Sequence, residues 1–168
     1  MPASSTLRIR LAASADTDVI AAHRAAMFRD MGRMTPAIEP EVLAASAAYL
    51  RDALHSGEYV GWFAVADGGA GQPVGGAGVF LRRLIPRPSL DGRTVLAGRE
   101  GLIVNVYVEP AFRRQGIARL LMETILQWVP QTDVVRLTLH ASADGKPLYQ
   151  ALGFIDSNEM VFPRGLRD

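Results

Sequence analysis

The chain has 168 residues, a length typical of a single domain with one substantial core. Its charges nearly cancel, with a formal net charge of +1, which argues against a protein whose main role is to coat nucleic acid. The sequence has no cysteine, and His23, His55 and His140 show no metal-ligand spacing, so we predict neither disulfides nor a metal site.

Membrane association is not expected from the sequence. The first ten residues, MPASSTLRIR, lack the apolar core of a signal peptide, and no apolar run is long enough to cross a bilayer. We therefore expect a soluble protein of the cytoplasm, without a membrane or nucleic-acid partner.

The first third of the chain predicts a strand and two helices. Residues 7–11 alternate apolar and basic side chains, as a strand does. Ser14 or Asp16 can cap a first helix that ends near Gly32. Its methionine-rich face can be core filler or the adaptable wall of a pocket. The pattern then predicts a second helix over 41–56 that stops at Gly57.

A hairpin and a long loop follow. Residues 59–66 and 73–84 predict two antiparallel strands joined by a glycine-rich turn at 67–71. The glycines inside the second strand indicate close backbone packing or a bulge. The connection 85–98 is long for a compact domain. Its arginines allow a rim for an anionic substrate or, alternatively, a solvated charged loop.

The central motif is a strand that enters a helix through a short cationic turn. An apolar, β-branched run over 102–108 stops at Glu109 and Pro110, and a long amphipathic helix begins near Gly116. The first N–H groups of such a helix have no intrahelical partners and lie at the positive end of its dipole. The motif therefore predicts an anion site suited to a pyrophosphate.

The last third predicts a strand over 134–140, a helix over 142–152 and a final strand over 154–162. Because the helix before residue 130 joins two apolar strands, we expect a right-handed parallel crossover.

Two motifs resemble the GNAT superfamily, the acyl-CoA-dependent N-acetyltransferases. Arg113-x-x-Gly116-x-Ala118 resembles the pyrophosphate signature of that family, and PLYQALGF at 147–154 resembles its Leu-Tyr-x-x-Leu-Gly-Phe ending. The order of predicted elements is also similar. The resemblance implies a single GNAT domain over 1–168, an α/β (α+β) fold whose mixed central sheet splays at the cofactor strands between about four helices.

The resemblance also implies which residues hold acetyl-CoA. The backbone of the motif strand would bind the acyl carbonyl and the pantetheine arm, and a bulge near 105–107 would cause the strands to separate. The start of the following helix would bind the pyrophosphate, and Ser142 would contact the pantetheine. These cofactor-binding residues are Val106, Tyr107, Val108, Arg113, Arg114, Gln115, Gly116, Ile117, Ala118, Arg119 and Ser142.

For catalysis, Tyr149 matches the general-acid tyrosine of the family, and a phenol that is protonated at pH 7 can protonate the leaving thiolate. Leu102 occupies the place where many members have a carboxylate base. Glu100 is the nearest acidic candidate, acting through water, and its alternative role is an ion pair with a neighbouring arginine.

The sequence thus predicts an enzyme that transfers acetyl from acetyl-CoA to a primary amine of a small molecule or peptide by direct attack. The acceptor is expected to enter between the first two helices and the loop at 85–98. The alternative is a catalytically silent acyl-CoA-binding sensor or interaction module. A homodimer is also open, since the family often forms one.

Overall fold

A computed structural model describes residues 7–66 and 71–162. The described residues form seven strands and four α-helices. The strands are β1 Leu7–Leu11, β2 Tyr59–Ala66, β3 Pro73–Arg83, β4 Arg87–Pro88, β5 Val95–Leu96, β6 Arg99–Val108 and β7 Val134–Leu139. The helices are α1 Thr17–Asp30, α2 Glu39–Ser56, α3 Ile117–Trp128 and α4 Lys146–Ala151. Apart from Gly71, the predicted turn at 67–71 lies outside the described residues.

Glycine ends the first two helices. Gly32 follows α1 and Gly57 follows α2, with φ angles of 66° and 77°. A side chain at such angles would crowd the backbone, so glycine is the favoured residue there. α2 begins at Glu39, two residues before the predicted start, and Pro40 lies in its first turn, where a missing N–H costs no helical hydrogen bond.

The five long strands form one mixed sheet in the order β1-β2-β3-β6-β7. All neighbours pair antiparallel except β6 and β7, which are parallel. The predicted hairpin of β2 and β3 and the predicted parallel connection from β6 through α3 to β7 are therefore confirmed.

Helices cover both faces of the sheet. Neighbouring residues of β2 point to opposite faces: Trp62 packs in the cluster that contains α3, and Phe63 packs in the cluster that contains α1 and α2. α3 buries Ile117, Leu121, Met122 and Ile125 against the sheet. Each fully buried side chain of this size contributes about 1.5–3 kcal/mol relative to exposure. No helix among the described residues is long and apolar enough to span a membrane.

The predicted final strand is wrong. Residues 154–162 have no regular secondary structure, and Ile155 and Met160 are 76% and 93% exposed. The middle of the segment, Asp-Ser-Asn-Glu at 156–159, consists of polar residues, most of them poor strand formers. Two of these residues instead contact preceding elements, in the pairs Lys146 with Asp156 and His140 with Glu159.

The long loop at 85–98 contains the short ribbon of β4 and β5. The pairing of β3 with β6 extends to Arg83 opposite Arg99, so the loop projects from the start of β6. At about 3.3 Å per residue, this end lies about 20 Å along β6 from residue 105. The loop therefore leaves the sheet at the end of β6 that is remote from residue 105, and its predicted part in the entry of the acceptor stays a prediction.

Candidate active site

A β-bulge interrupts β6. β3 pairs Gly78 with Val104 and Gly76 with Tyr107, so Asn105 and Val106 together face the single residue Ala77. Asn105 has a φ of 58°, a left-handed conformation that asparagine tolerates better than most residues. The bulge that was expected near 105–107 is confirmed. It changes the side-chain alternation, because Val104 and Asn105 both contact residues on the α1 and α2 face.

The two parallel strands pair over only half of β6. The register runs from Arg99 opposite Val134 to Ile103 opposite Leu139, and β6 continues to Val108. Residues 104–108 therefore have no strand partner on the β7 side within the described part of the chain. Val106, Tyr107 and Val108, three of the predicted cofactor-binding residues, lie in this unpaired stretch, beside the gap that an extended pantetheine arm would need.

The start of α3 is open to solvent. Residues 113–116 are exposed, and Arg114 and Gly116 have positive φ angles of 64° and 80°. Among the described residues no side chain caps the helix, and the Gln115 amide nitrogen instead donates to the Ala111 carbonyl at 3.4 Å. An exposed helix start of this kind, at the positive end of the helix dipole and next to the exposed Arg114, suits a phosphate group, and its binding of pyrophosphate stays a prediction.

Arg113 has a different role from its neighbour Arg114. Its Nε donates to the Val108 carbonyl at 2.9 Å, its guanidinium pairs with Asp30, and it lies 5.5 Å from the centre of the Tyr107 ring. The hydrogen bond with Asp30 raises the Arg113 pKa. Arg113 thus ties the end of α1 to the end of β6. Its predicted contact with pyrophosphate stays a prediction.

Tyr149 lies on α4 with its ring half-buried beside Phe154, at 6.2 Å between ring centres. Burial raises the Tyr149 pKa, so the phenol keeps its proton at neutral pH. Within the described residues the hydroxyl has no hydrogen-bond partner, which leaves it available to a ligand. Ser142 is exposed, and its Oγ accepts a hydrogen bond from the Gly145 N–H at 3.1 Å. This turn over 142–145 explains why α4 begins later than predicted.

Glu100 is buried, with only 2% of its surface exposed. Arg82 contacts one carboxylate oxygen at 2.5 Å, and Arg136 contacts the other. Glu100 also lies near the start of β6, on the far side of the paired stretch from the bulge. The role of Glu100 as a base stays a prediction, but these contacts favour its alternative role as an ion-pair partner.

Sequence reasoning missed a polar chain that reaches the bulge. The Asn105 Nδ2 donates to the Tyr59 hydroxyl at 3.2 Å, and Arg24 donates to Asn105 Oδ1 at 2.7 Å. Burial raises the Tyr59 pKa to about 12, so this phenol is neutral. Gly78 makes room for it, because a Cβ there would lie 2.0 Å from the Tyr59 hydroxyl. The one signal in the sequence was an asparagine inside an apolar strand.

His23 lies on the face of α1 that packs against the sheet, next to this hydrogen-bonded group of polar residues. It is 6% exposed, and its ring is 5.0 Å from that of Tyr107. Burial lowers the His23 pKa, although Glu109, 3.4 Å from Nε2, opposes the shift. The other nitrogen, Nδ1, is buried without a partner among the described residues. His23 and Asn105 line a cavity with room for about one water molecule.

These features define a class of protein. A mixed sheet that separates at a bulge, followed by an uncapped helix start, matches the fold and the site that the two sequence motifs imply for GNAT acetyltransferases. The model of the Acetyltransferase (GNAT) family matches residues 24–154, and the chain belongs to this family.

Solved structures agree with this assignment. The chain is similar to a GCN5-related N-acetyltransferase from Ralstonia eutropha JMP134, with 29% identity and a TM-score of 0.80 over 94% of this chain and 98% of that one. Its fold is similar to that of a predicted acetyltransferase from Clostridium acetobutylicum, solved with acetyl-CoA, with 24% identity and a TM-score of 0.76 over 95% and 96% of the two chains. No curated protein matches the sequence.

Proposed function

We propose that this chain is an N-acetyltransferase that uses acetyl-CoA and transfers the acetyl group to a primary amine by direct attack. The observation that carries the proposal is the gap between β6 and β7 beside the uncapped start of α3. An extended strand edge and the predicted phosphate site would lie next to each other there, as the two ends of a CoA molecule require. The structure of the Clostridium acetobutylicum acetyltransferase contains acetyl-CoA, which supports this assignment.

The residues of the two sites would divide the binding of acetyl-CoA. Backbone groups of Val106 and Val108 would hold the thioester carbonyl and the pantetheine, with Tyr107 between them in the same unpaired stretch. The amides of Gly116 and the residues after it would bind the pyrophosphate, assisted by the exposed Arg114. The residues after Gly116 in this proposal are Ile117, Ala118 and Arg119, and the remaining contacts would come from Arg113, Gln115 and Ser142.

In the reaction, the amine nitrogen would form a bond with the acetyl carbon while the carbon–sulfur bond breaks. Tyr149 would donate its proton to the departing thiolate and regain one from solvent. General acid catalysis of this kind typically contributes about 10²–10⁴-fold in rate. No covalent acyl-enzyme is needed, and the sequence has no cysteine to form one.

The attacking amine must lose a proton, since an amine like that of lysine has a pKa near ~10.4 in water. We propose that His23 Nδ1 receives this proton through one water. A neutral imidazole that directs Nε2 toward Glu109 leaves a lone pair on the unpartnered Nδ1. Because His23 lines the same small cavity as Asn105, whereas Glu100 lies near the start of β6, the histidine is better placed than Glu100.

The test is release of free thiol from acetyl-CoA in the presence of an amine panel. We expect Tyr149→Phe to lower turnover by about 10²-fold with little change in CoA affinity, because the hydroxyl acts only as sulfur leaves. The matched control is Tyr49→Phe, which alters an exposed phenol on α2. Equal losses of turnover and CoA affinity would assign Tyr149 a binding role instead.

The second candidate is a catalytically silent acyl-CoA-binding module. One observation favours it: Leu102 stands where many relatives carry a carboxylate, and the nearby Glu100 is held by two arginines. A protein that binds CoA but releases thiol with no amine, and is unaffected by Tyr149→Phe, would support this candidate.

A further inference from the structure

Arg24 differs from the other arginines that are shielded from solvent. Four arginines in the described residues are not exposed: Arg10, Arg24, Arg99 and Arg136. Three of them pair with a carboxylate, namely Arg10 with Asp16, Arg99 with Asp133 and Arg136 with Glu100. Within the described residues Arg24 has no such partner, and its hydrogen bond goes to the neutral amide of Asn105.

Acidic residues at the end of α1, at the start of α2 and directly after β6 are engaged elsewhere. Asp30 pairs with Arg113, Glu39 with Arg29, and Glu109 lies against His23. The one titratable group that acts on Arg24 is the Tyr59 phenol, which is neutral at physiological pH. A guanidinium that is partly removed from water without a counter-ion is costly, and burial accordingly lowers the Arg24 pKa.

The geometry holds Arg24 next to the reaction centre. Asn105 is the residue of the bulge with the left-handed φ, so its hydrogen bond places the guanidinium at the point where β6 turns away from β7. The guanidinium also lies 4.7 Å from the centre of the Phe28 ring, which holds it from a second side. A guanidinium carries five N–H donors, and the described protein uses a single bond from Nη1.

A second cation contacts the same ring. Arg33, which is exposed, lies 5.8 Å from the centre of the Phe28 ring. Neither Arg24 nor Arg33 has a carboxylate partner among the described residues, so the region around Phe28 carries uncompensated positive charge, and Arg24 places part of it at the bulge. Arginine binds carboxylates and phosphates through paired hydrogen bonds, so an anion is the ligand that would complete this site.

We propose that Arg24 binds an anionic group of the acceptor, so that the amine substrate also carries a carboxylate or a phosphate. This inference rests on the proposed function. It names the substrate class that α1 selects, and it separates an anionic amine from a cationic polyamine or a neutral amino sugar. Arg24 would orient the acceptor so that its nitrogen reaches the thioester beside Val106.

The experiment measures binding and turnover for matched pairs of small amines. The pairs are L-alanine with L-alaninamide, L-lysine with L-lysinamide, and phosphoethanolamine with ethanolamine. Binding is titrated with CoA present, and thiol release is measured with acetyl-CoA. We expect the unaltered protein to prefer the anionic member of the carboxylate pairs or of the phosphate pair, and the pair that responds identifies the anion.

Variants of Arg24 test the cause of that preference. Arg24→Gln should lower the ratio of the binding constants for the anionic and the neutral member of a pair by about tenfold or more. Arg24→Lys should retain part of the preference, since lysine keeps the charge without the planar guanidinium. The change in this ratio between the variant and the unaltered protein is the quantity to read, because differences in amine pKa between the two ligands are the same for both proteins and cancel. The control is Arg29→Gln, which removes an exposed arginine of the same helix that pairs with Glu39.

The outcomes separate the two proposals. If Arg24→Gln weakens the binding of anionic and neutral amines equally, then Arg24 only positions Asn105, and the inference is overturned. Equal binding of both members of every pair to the unaltered protein would also overturn it. Preferential, Arg24-dependent binding without any thiol release would support the anion site and contradict the proposed acetyl transfer.

Discussion

At the scale of single residues, the most consequential side chains are the polar ones that the sheet buries. His23, Tyr59 and Asn105 are all less than one-tenth exposed. Each of them contacts a residue outside its own helix or strand. Burial of polar groups is costly unless they are hydrogen-bonded, so such a group beside a reaction centre is a candidate for function. The predictions at this scale concern His23 and the glycine that admits Tyr59.

Protonation of His23 should destabilise the fold. Burial lowers its folded pKa below the usual value near 6.5, whereas the unfolded chain takes up the proton at that value. The contribution of neutral His23 is therefore complete above about pH 6.5 and is lost as the pH falls through the folded pKa. Urea unfolding from pH 8 to pH 5 should show this loss, and it should be smaller in His23→Gln.

His55→Gln is the control for that measurement, because His55 is exposed on α2. A pH profile of His23→Gln that matches that of the unaltered protein would remove His23 as the source. His23→Gln should also lower turnover more than CoA affinity if His23 Nδ1 receives the amine proton.

Gly78→Ala should destabilise the protein more than Gly76→Ala on the same strand. A Cβ at 78 would lie 2.0 Å from the Tyr59 hydroxyl, whereas a Cβ at 76 would lie 3.1 Å from the Phe63 ring. Overpacking of this kind costs about 1–3 kcal/mol. Displacement of Tyr59 also breaks its bond with Asn105. Midpoints of urea unfolding give the two values, and equal midpoints would show that Tyr59 moves at no cost.

At the scale of elements, the start of α3 is the proposed phosphate site. Gly116 has a φ of 80°, and a Cβ there would meet no atom within 4 Å, so backbone strain rather than crowding disfavours a side chain. Gly116→Ala and Gly116→Glu should each lower the free energy of unfolding by about 1 kcal/mol. Only Gly116→Glu adds bulk and a negative charge where the phosphates would bind.

We therefore expect Gly116→Ala to retain most of its CoA affinity and Gly116→Glu to lose it, as measured by titration calorimetry. Thermal unfolding checks that the two variants lose similar stability. Equal CoA affinity in both variants would remove this helix start as the pyrophosphate site.

At the scale of the whole molecule, the sheet separates two kinds of surface. α3 packs on one face and leads from the gap between β6 and β7, where acetyl-CoA would bind. α1 and α2 cover the other face, where Arg24 and His23 reach the bulge. The bulge at Asn105 is the point where both faces meet, which would allow a cofactor from one side and an amine from the other to approach the same carbon.

The local pattern of the sequence determined the order of the elements and the position of the helix start. Apolar periodicity and glycine placement depend on near neighbours, so β2, the end of α2 at Gly57 and the turn before Gly116 were predictable. The family followed from two short motifs for the same reason. The failure at 154–162 shows the limit of this approach, because strand pairing requires a partner that periodicity does not supply.

The tertiary structure alone decided which charged groups are paired and which remain free. Glu100 and Arg24 lie 76 positions apart in the sequence, and nothing in their local sequence distinguishes a paired charge from an unpaired one. Folding places two arginines around Glu100 and leaves Arg24 beside a neutral amide. Electrostatic energy depends on distance and burial rather than on order along the chain, so only the packing of α1 against the bulge could single out Arg24.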